Sequence, residues 1–121
     1  MHTRIRVSDL ERAIAWYAKL GFVCTRRTER SPAGNRLAFL EMPGSEHFLE
    51  LCFSPDYAPR VPEDLMHLAI GYPDLVAKCA ELEAQGLEIW PEGWRGKFRA
   101  GDKMGFVTDP DGYKVELLET R

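Results

Sequence analysis

Two histidines and two glutamates carry the chemical signal in this 121-residue chain. His2 and His67 are separated by 65 residues, and Glu50 and Glu116 by 66, so one His/Glu pair occurs twice at matched places. Imidazole nitrogen and carboxylate oxygen together form a donor set suited to zinc, nickel, cobalt, iron or manganese. A single histidine on a strand is ordinarily a surface or hydrogen-bonded residue. A single glutamate in an apolar strand ordinarily faces water. The recurrence of the pair favours one divalent metal ion held by His2, Glu50, His67 and Glu116. His47 has no counterpart in the second half and reads as a surface residue.

The same offset relates the elements that must position these side chains. Asp9-Leu10 matches Asp74-Leu75, Gly21 matches Gly86, and Leu10, Ile14 and Tyr17 match Leu75, Cys79 and Leu82. One extra loop residue accounts for the slip from 65 to 66. In the first half, His2 to Val7 reads as a strand, Ser8 or Asp9 as a cap, and Leu10 to Tyr17 as an amphipathic helix ended by Gly21. Strands are expected over 22–27, 36–41 and 46–53, with Ser31-Pro32-Ala33-Gly34 and Pro43-Gly44 as turns. The second half predicts a strand over 66–71, a helix over 74–85, and strands near 87–90, 103–108 and 113–119. Asp109-Pro110-Asp111-Gly112 is a turn in which Pro presets φ and Gly accepts a positive one.

The chain reads as a single domain built of modules 1–53 and 66–121, joined by a proline-rich linker over 54–65. The stretch from Pro91 to Asp102, with its glycines and basic residues, predicts a mobile loop over a site. Strand alternation sets His2, Arg4 and Arg6 on one face and Ile5 and Val7 on the other. Glu50 and Glu116 likewise lie opposite their leucine and valine neighbours. The polar faces are expected to line a shared concave surface, with the helices covering the apolar ones.

Composition restricts the partners. A net charge of -3 gives no electrostatic reason to expect nucleic acid or an anionic membrane. No apolar run approaches the roughly 20 residues of a spanning helix, and the first residues lack the apolar stretch of a signal peptide. The expected location is the cytoplasm. The three cysteines, Cys24, Cys52 and Cys79, form no CxxC pair and read as small buried hydrophobes.

The pattern resembles the glyoxalase I / vicinal oxygen chelate superfamily over nearly the whole chain. The matching residues are His2-Thr3-Arg4-Ile5-Arg6-Val7-Ser8-Asp9-Leu10, Trp16-Tyr17 through Leu20-Gly21-Phe22, and Phe48-Leu49-Glu50-Leu51. Met66-His67-Leu68-Ala69 and Asp109-Pro110-Asp111-Gly112-Tyr113-Lys114-Val115-Glu116-Leu117 complete the set. The resemblance implies an α+β fold, with two tandem βαβββ modules forming a cup-shaped mixed sheet around the metal. It implies a homodimer whose sites are often built from modules of both subunits. The compact chain looks like the shorter bacterial glyoxalases, for which nickel or cobalt is favoured over zinc.

The implied reaction is isomerisation of the hemithioacetal of methylglyoxal and glutathione to S-lactoylglutathione, through an enediolate. A metal acts as the Lewis acid, and a carboxylate that loosens from it acts as the base. The resemblance makes Glu116 the leading base, Glu50 a second metal-bound carboxylate able to move protons, and His2 and His67 plain ligands. For the small-molecule substrate, with glutathione as part of it, the resemblance points to Arg6 and Lys19. It also points to Ser54, standing where the family often has Asn, and to Lys103, with Lys97 and Arg99 in the same region. Other members of the superfamily are dioxygenases, epimerases and thiol transferases, which typically use three ligands or replace the first Glu. Metal-free binding proteins of the bleomycin-resistance kind usually lose the ligands. This chain retains all four.

Overall fold

The computed structural model describes residues 2–32, 34–56, 59 and 67–120. The chain divides into two compact units, Met1–Val61 and Pro62–Arg121. Most of the expected linker, and Met66 at the start of the expected strand 66–71, lie outside the described residues.

In the first unit, β1 (His2–Arg6), α1 (Leu10–Lys19), β2 (Val23–Thr28), β3 (Arg36–Glu41) and β4 (Phe48–Phe53) follow in chain order. The sheet runs β1-β4-β3-β2, with β1 parallel to β4 and the remaining neighbours antiparallel. The helix begins where Asp9 accepts the backbone N–H of Arg12 at 3.0 Å, satisfying one of the donors a helix start leaves open. Past its end, Gly21 takes φ +109°, a conformation that side chains with a Cβ rarely adopt. Leu10, Ala13, Tyr17 and Leu20 are buried, and α1 packs across β2, β3 and β4. Ile5, Val7, Ala38, Leu40, Leu49 and Leu51 are buried with them. Each leucine, isoleucine and valine among them contributes about 1.5–3 kcal/mol on leaving water.

The second unit holds β5 (His67–Tyr72), α2 (Leu75–Ala84), α3 (Trp94–Arg99), β6 (Met104–Thr108) and β7 (Lys114–Glu119). Its sheet runs β5-β7-β6, with β5 parallel and β6 antiparallel to β7. Asp74 caps α2 as Asp9 caps α1, accepting the N–H of Ala77 at 3.0 Å. Leu75, Cys79 and Leu82 are fully buried, as the repeat predicts. The Asp109 carboxylate accepts the N–H groups of Asp111 and Tyr113 at 2.9 and 2.8 Å, and Gly112 takes φ +98°. The β6–β7 turn is thus fixed from within.

Two expectations for this unit need correction. Residues 87–90 form no strand: only Trp90 bridges to Phe106, through two backbone hydrogen bonds of 2.8 and 2.9 Å. Pro91 follows at once, and a residue without an N–H does not extend a ladder. The stretch 91–102 is not an open loop either. It contains α3, whose Trp94 and Phe98 are buried one turn apart, with ring centroids at 5.1 Å. Gly96 inside a six-residue helix masked that i, i+4 signal. Among the cysteines, Cys52 and Cys79 are buried, whereas Cys24 on β2 is only half-buried. The architecture is α+β, two βαβββ-like modules with one strand of the second reduced to a single bridge.

Candidate metal centre

The parallel pairing of the first and last strand of each unit brings its histidine near its glutamate. In the first unit His2 registers with Phe48 and Arg4 with Glu50. In the second, His67 registers with Lys114 and Ala69 with Glu116. Side chains two apart on a strand share a face, so each histidine and glutamate stand on the same side of neighbouring strands. Paired residues of the parallel strands are 46 positions apart in the first unit and 47 in the second, which accounts for the one-residue growth of the offset.

The two pairs have nearly the same geometry. His2 Nε2 lies 3.7 Å from Glu50 Oε2, and His67 Nε2 lies 3.8 Å from Glu116 Oε2. These separations exceed hydrogen-bond length. They remain below about 4.2 Å, the greatest span of two donors sharing one ion at roughly 2.1 Å each. In each unit the nitrogen and oxygen are thus close enough to serve as ligands of one ion, and at the first pair Arg4 already donates to the Glu50 oxygen concerned. Among the described residues, no three His, Cys, Asp or Glu side chains gather at one point. Each unit by itself offers one pair.

Their surroundings differ. Glu50 is only 4% exposed. Phe39 faces it across the antiparallel β3, and Arg26 stands over the Phe39 ring at 4.1 Å. Phe48 stacks on His2 with ring centroids at 5.1 Å. Leu37, Phe39 and Cys52 form an apolar cluster against which Phe48 packs, so this face is less polar than alternation alone predicts. Arg4 Nε donates to Glu50 Oε2, the same oxygen that faces His2. That hydrogen bond, outweighing desolvation, raises the Arg4 guanidinium above its ordinary value. In the second unit Phe106 occupies the position facing Glu116, and its edge meets the His67 ring at 5.6 Å. The Glu116 side chain is 18% exposed.

The expected substrate contacts separate into two groups. Arg6 Nη1 donates to Ser54 Oγ at 2.6 Å, and Ser54 Oγ donates to Asn35 Oδ1 at 2.8 Å. Arg6 shares its strand face with Arg4 and His2, so this network borders the first pair. Lys19 lies in the last turn of α1, the helix that packs on the opposite face of that sheet. Lys103 Nζ is bound to Glu119 Oε2 at 2.9 Å, on the β7 face opposite Glu116. Lys97 and Arg99 are exposed on α3. His47, exposed, shares a 2.7 Å hydrogen bond with Thr3 Oγ1. The role of Arg4 escapes a reading of the sequence, because only the β1–β4 register reveals that it meets Glu50.

A model of the Glyoxalase/Bleomycin resistance protein/Dioxygenase superfamily matches residues 1–117. A lactoylglutathione lyase of Haemophilus influenzae is 33% identical over 126 residues, covering 100% of this chain and 92% of that protein. The trypanothione-dependent glyoxalase I of Leishmania major superposes with a TM-score of 0.79 at 34% identity, covering 98% of this chain and 84% of that one. TnmS3, an antibiotic-binding protein from Streptomyces sp. CB03234, superposes with a TM-score of 0.74 at 24% identity, covering 99% and 93%, and shares the fold. The chain belongs to the Glyoxalase/Bleomycin resistance protein/Dioxygenase superfamily, and within it is similar to the lactoylglutathione lyases over its full length.

Proposed function

We propose that this protein is a metal-dependent glyoxalase I-type lyase that isomerises the methylglyoxal–glutathione hemithioacetal to S-lactoylglutathione. The observation that carries the reading is the duplicated pair: His2 with Glu50 and His67 with Glu116, at 3.7 and 3.8 Å, in a chain similar throughout to lactoylglutathione lyases. Together the pairs supply two nitrogens and two oxygens, a ligand set for one divalent ion, with nickel or cobalt favoured and zinc possible in the same set. Bound there, the ion would act as a Lewis acid toward the substrate oxygens.

The proton moves between adjacent carbons of the substrate, which requires one base that accepts it and returns it. Glu116 takes that role, and its partial exposure leaves its carboxylate room to turn toward the substrate. Glu50, buried and held by Arg4, acts as the fixed carboxylate. Arg6, joined to Ser54, offers a cation to a carboxylate of glutathione. Lys19 and Lys103 are the less favoured contacts, because the first sits on the helix side of its sheet and the second is bound to Glu119. The enzyme is proposed to act as a cytoplasmic homodimer. Among the described residues, no helix is long and apolar enough to cross a membrane.

Elemental analysis of the purified protein, coupled to an assay of S-lactoylglutathione formation with added nickel, cobalt or zinc, tests the proposal. The expected result is one bound divalent ion per site and turnover with at least one metal. Stoichiometric metal without turnover would overturn the lyase assignment. Metal retained undiminished by the Glu50→Gln, Glu116→Gln double variant would overturn the ligand set.

A further inference from the structure

The two His/Glu pairs match in spacing but not in charge. Opposite Glu50 in the parallel register stands Arg4, and opposite Glu116 stands Ala69. The Arg4 guanidinium bonds the oxygen of Glu50 that faces His2. Among the described residues, Glu116 pairs with no lysine or arginine, and its ionic neighbour is His67. A buried carboxylate is costly without a partner, and the Glu50 side chain is 6% exposed against 18% for that of Glu116.

From this asymmetry we infer that Arg4 is a positioning residue: it pins Glu50 and weakens the protein's hold on a divalent cation, leaving Glu116 as the carboxylate free to turn. The inference rests on the metal-centre reading and adds a residue to it. Two physical effects act in the same direction. A resident guanidinium occupies one lone-pair direction of the oxygen that a cation shared with His2 would use. Its positive charge also repels a dication within a few ångströms, beside a buried Glu50 carboxylate but with the Arg4 and His2 side chains 48% and 46% exposed, so that water moderates the effect. Among the described residues, the cation on the same strand face as Glu116 is Lys114, opposite His67, and its Nζ donates to Thr108 Oγ1 at 2.8 Å and forms no ion pair with Glu116. The Ala69 side chain is exposed, so an arginine introduced there has room to reach Glu116.

The test is a calorimetric titration of the metal-stripped full chain with Co(II), following the cobalt visible absorption in parallel. Arg4→Met, which keeps the length of the side chain and removes the charge, is expected to bind cobalt at least about tenfold tighter than the parent. Ala69→Arg is expected to bind at least about tenfold more weakly. Circular dichroism checks that each variant is folded, and Arg4→Gln replaces Arg4→Met if the methionine is not tolerated. A merely structural Arg4 would leave affinity unchanged or reduced on its removal, and that result overturns the inference while the metal-centre reading stands. Unaltered affinity in Ala69→Arg overturns it as well. Absence of cobalt binding in the parent and every variant removes the metal-centre reading itself.

Discussion

The two units build the same His/Glu pair on different supports. Four strands surround Glu50 with Phe39, Phe48 and Arg4, leaving it buried and ion-paired. Three strands support Glu116, with Phe106 on one side and Ala69 on the other. What a strand can move is set by what lies beside it. A carboxylate clamped by a guanidinium holds its position, while one bordered by an alanine methyl keeps rotational freedom. Duplication of a module therefore need not duplicate a role. The spacing is shared, and on the reading proposed above the division of labour would come from one residue on the neighbouring strand.

Exchanging the carboxylates one at a time gives the largest expected contrast. Glu116→Gln retains an oxygen that can approach a metal and removes the base, so turnover should fall by about 10²–10⁴-fold. Glu50→Gln should lower turnover by a smaller factor. Steady-state kinetics on the hemithioacetal, with metal content measured on the same samples, separates lost base from lost metal. Equal losses at equal metal content would mean that the surroundings of the two carboxylates do not divide their roles.

The cores beneath the pairs should respond alike. Leu51 and Leu117 are both fully buried and directly follow Glu50 and Glu116 on their strands. Either Leu→Ala change leaves a cavity and should cost about 2–5 kcal/mol, read from chemical denaturation. A cost below about 1 kcal/mol at one of them would show that its unit is loosely packed there. These leucines also show how much of the fold was legible in the sequence. Strand alternation identified them, and helix spacing identified Leu75, Cys79 and Leu82, because one-sided burial leaves a period. On β3 and β4 the alternation is blurred, since Leu37, Phe39 and Cys52 are buried on the face that also carries Glu50. The recurring His/Glu pair was visible because repetition marks it. The Arg4–Glu50 contact was not, because residues 46 positions apart in the chain meet only through register. The helix α3 was hidden by its glycine and its brevity.

Cap removal should have a moderate effect, the same in both units. Asp9→Ala and Asp74→Ala each delete a bond from carboxylate to backbone N–H of 3.0 Å, at an expected cost of about 0.5–2 kcal/mol. Unequal costs would indicate that a neighbouring carboxylate compensates at one helix start.

The neighbouring carboxylates differ in origin, and their titration gives the smallest and most specific contrast. Glu11 lies within the first turn of α1 and pairs with Arg27. Glu119 reaches α2 from β7, accepting Lys103 Nζ at 2.9 Å and the Leu75 N–H at 3.2 Å. The Lys103 hydrogen bond, followed by that of Leu75, lowers the Glu119 carboxyl below its ordinary value of 4.5. The Arg27 hydrogen bond does the same for Glu11. A carboxyl more acidic in the folded state contributes stability above its unfolded value and loses it as pH falls through the folded one. Glu119→Gln should therefore be less stable than the parent near neutral pH, with the gap closing below about pH 4.5, the ordinary value of this group. Added salt should narrow the gap at neutral pH, because both partners of the Lys103–Glu119 pair are partly exposed. Urea denaturation from pH 3 to pH 7 measures it, and a gap constant across that range would show that the charge of Glu119 does not hold the start of α2.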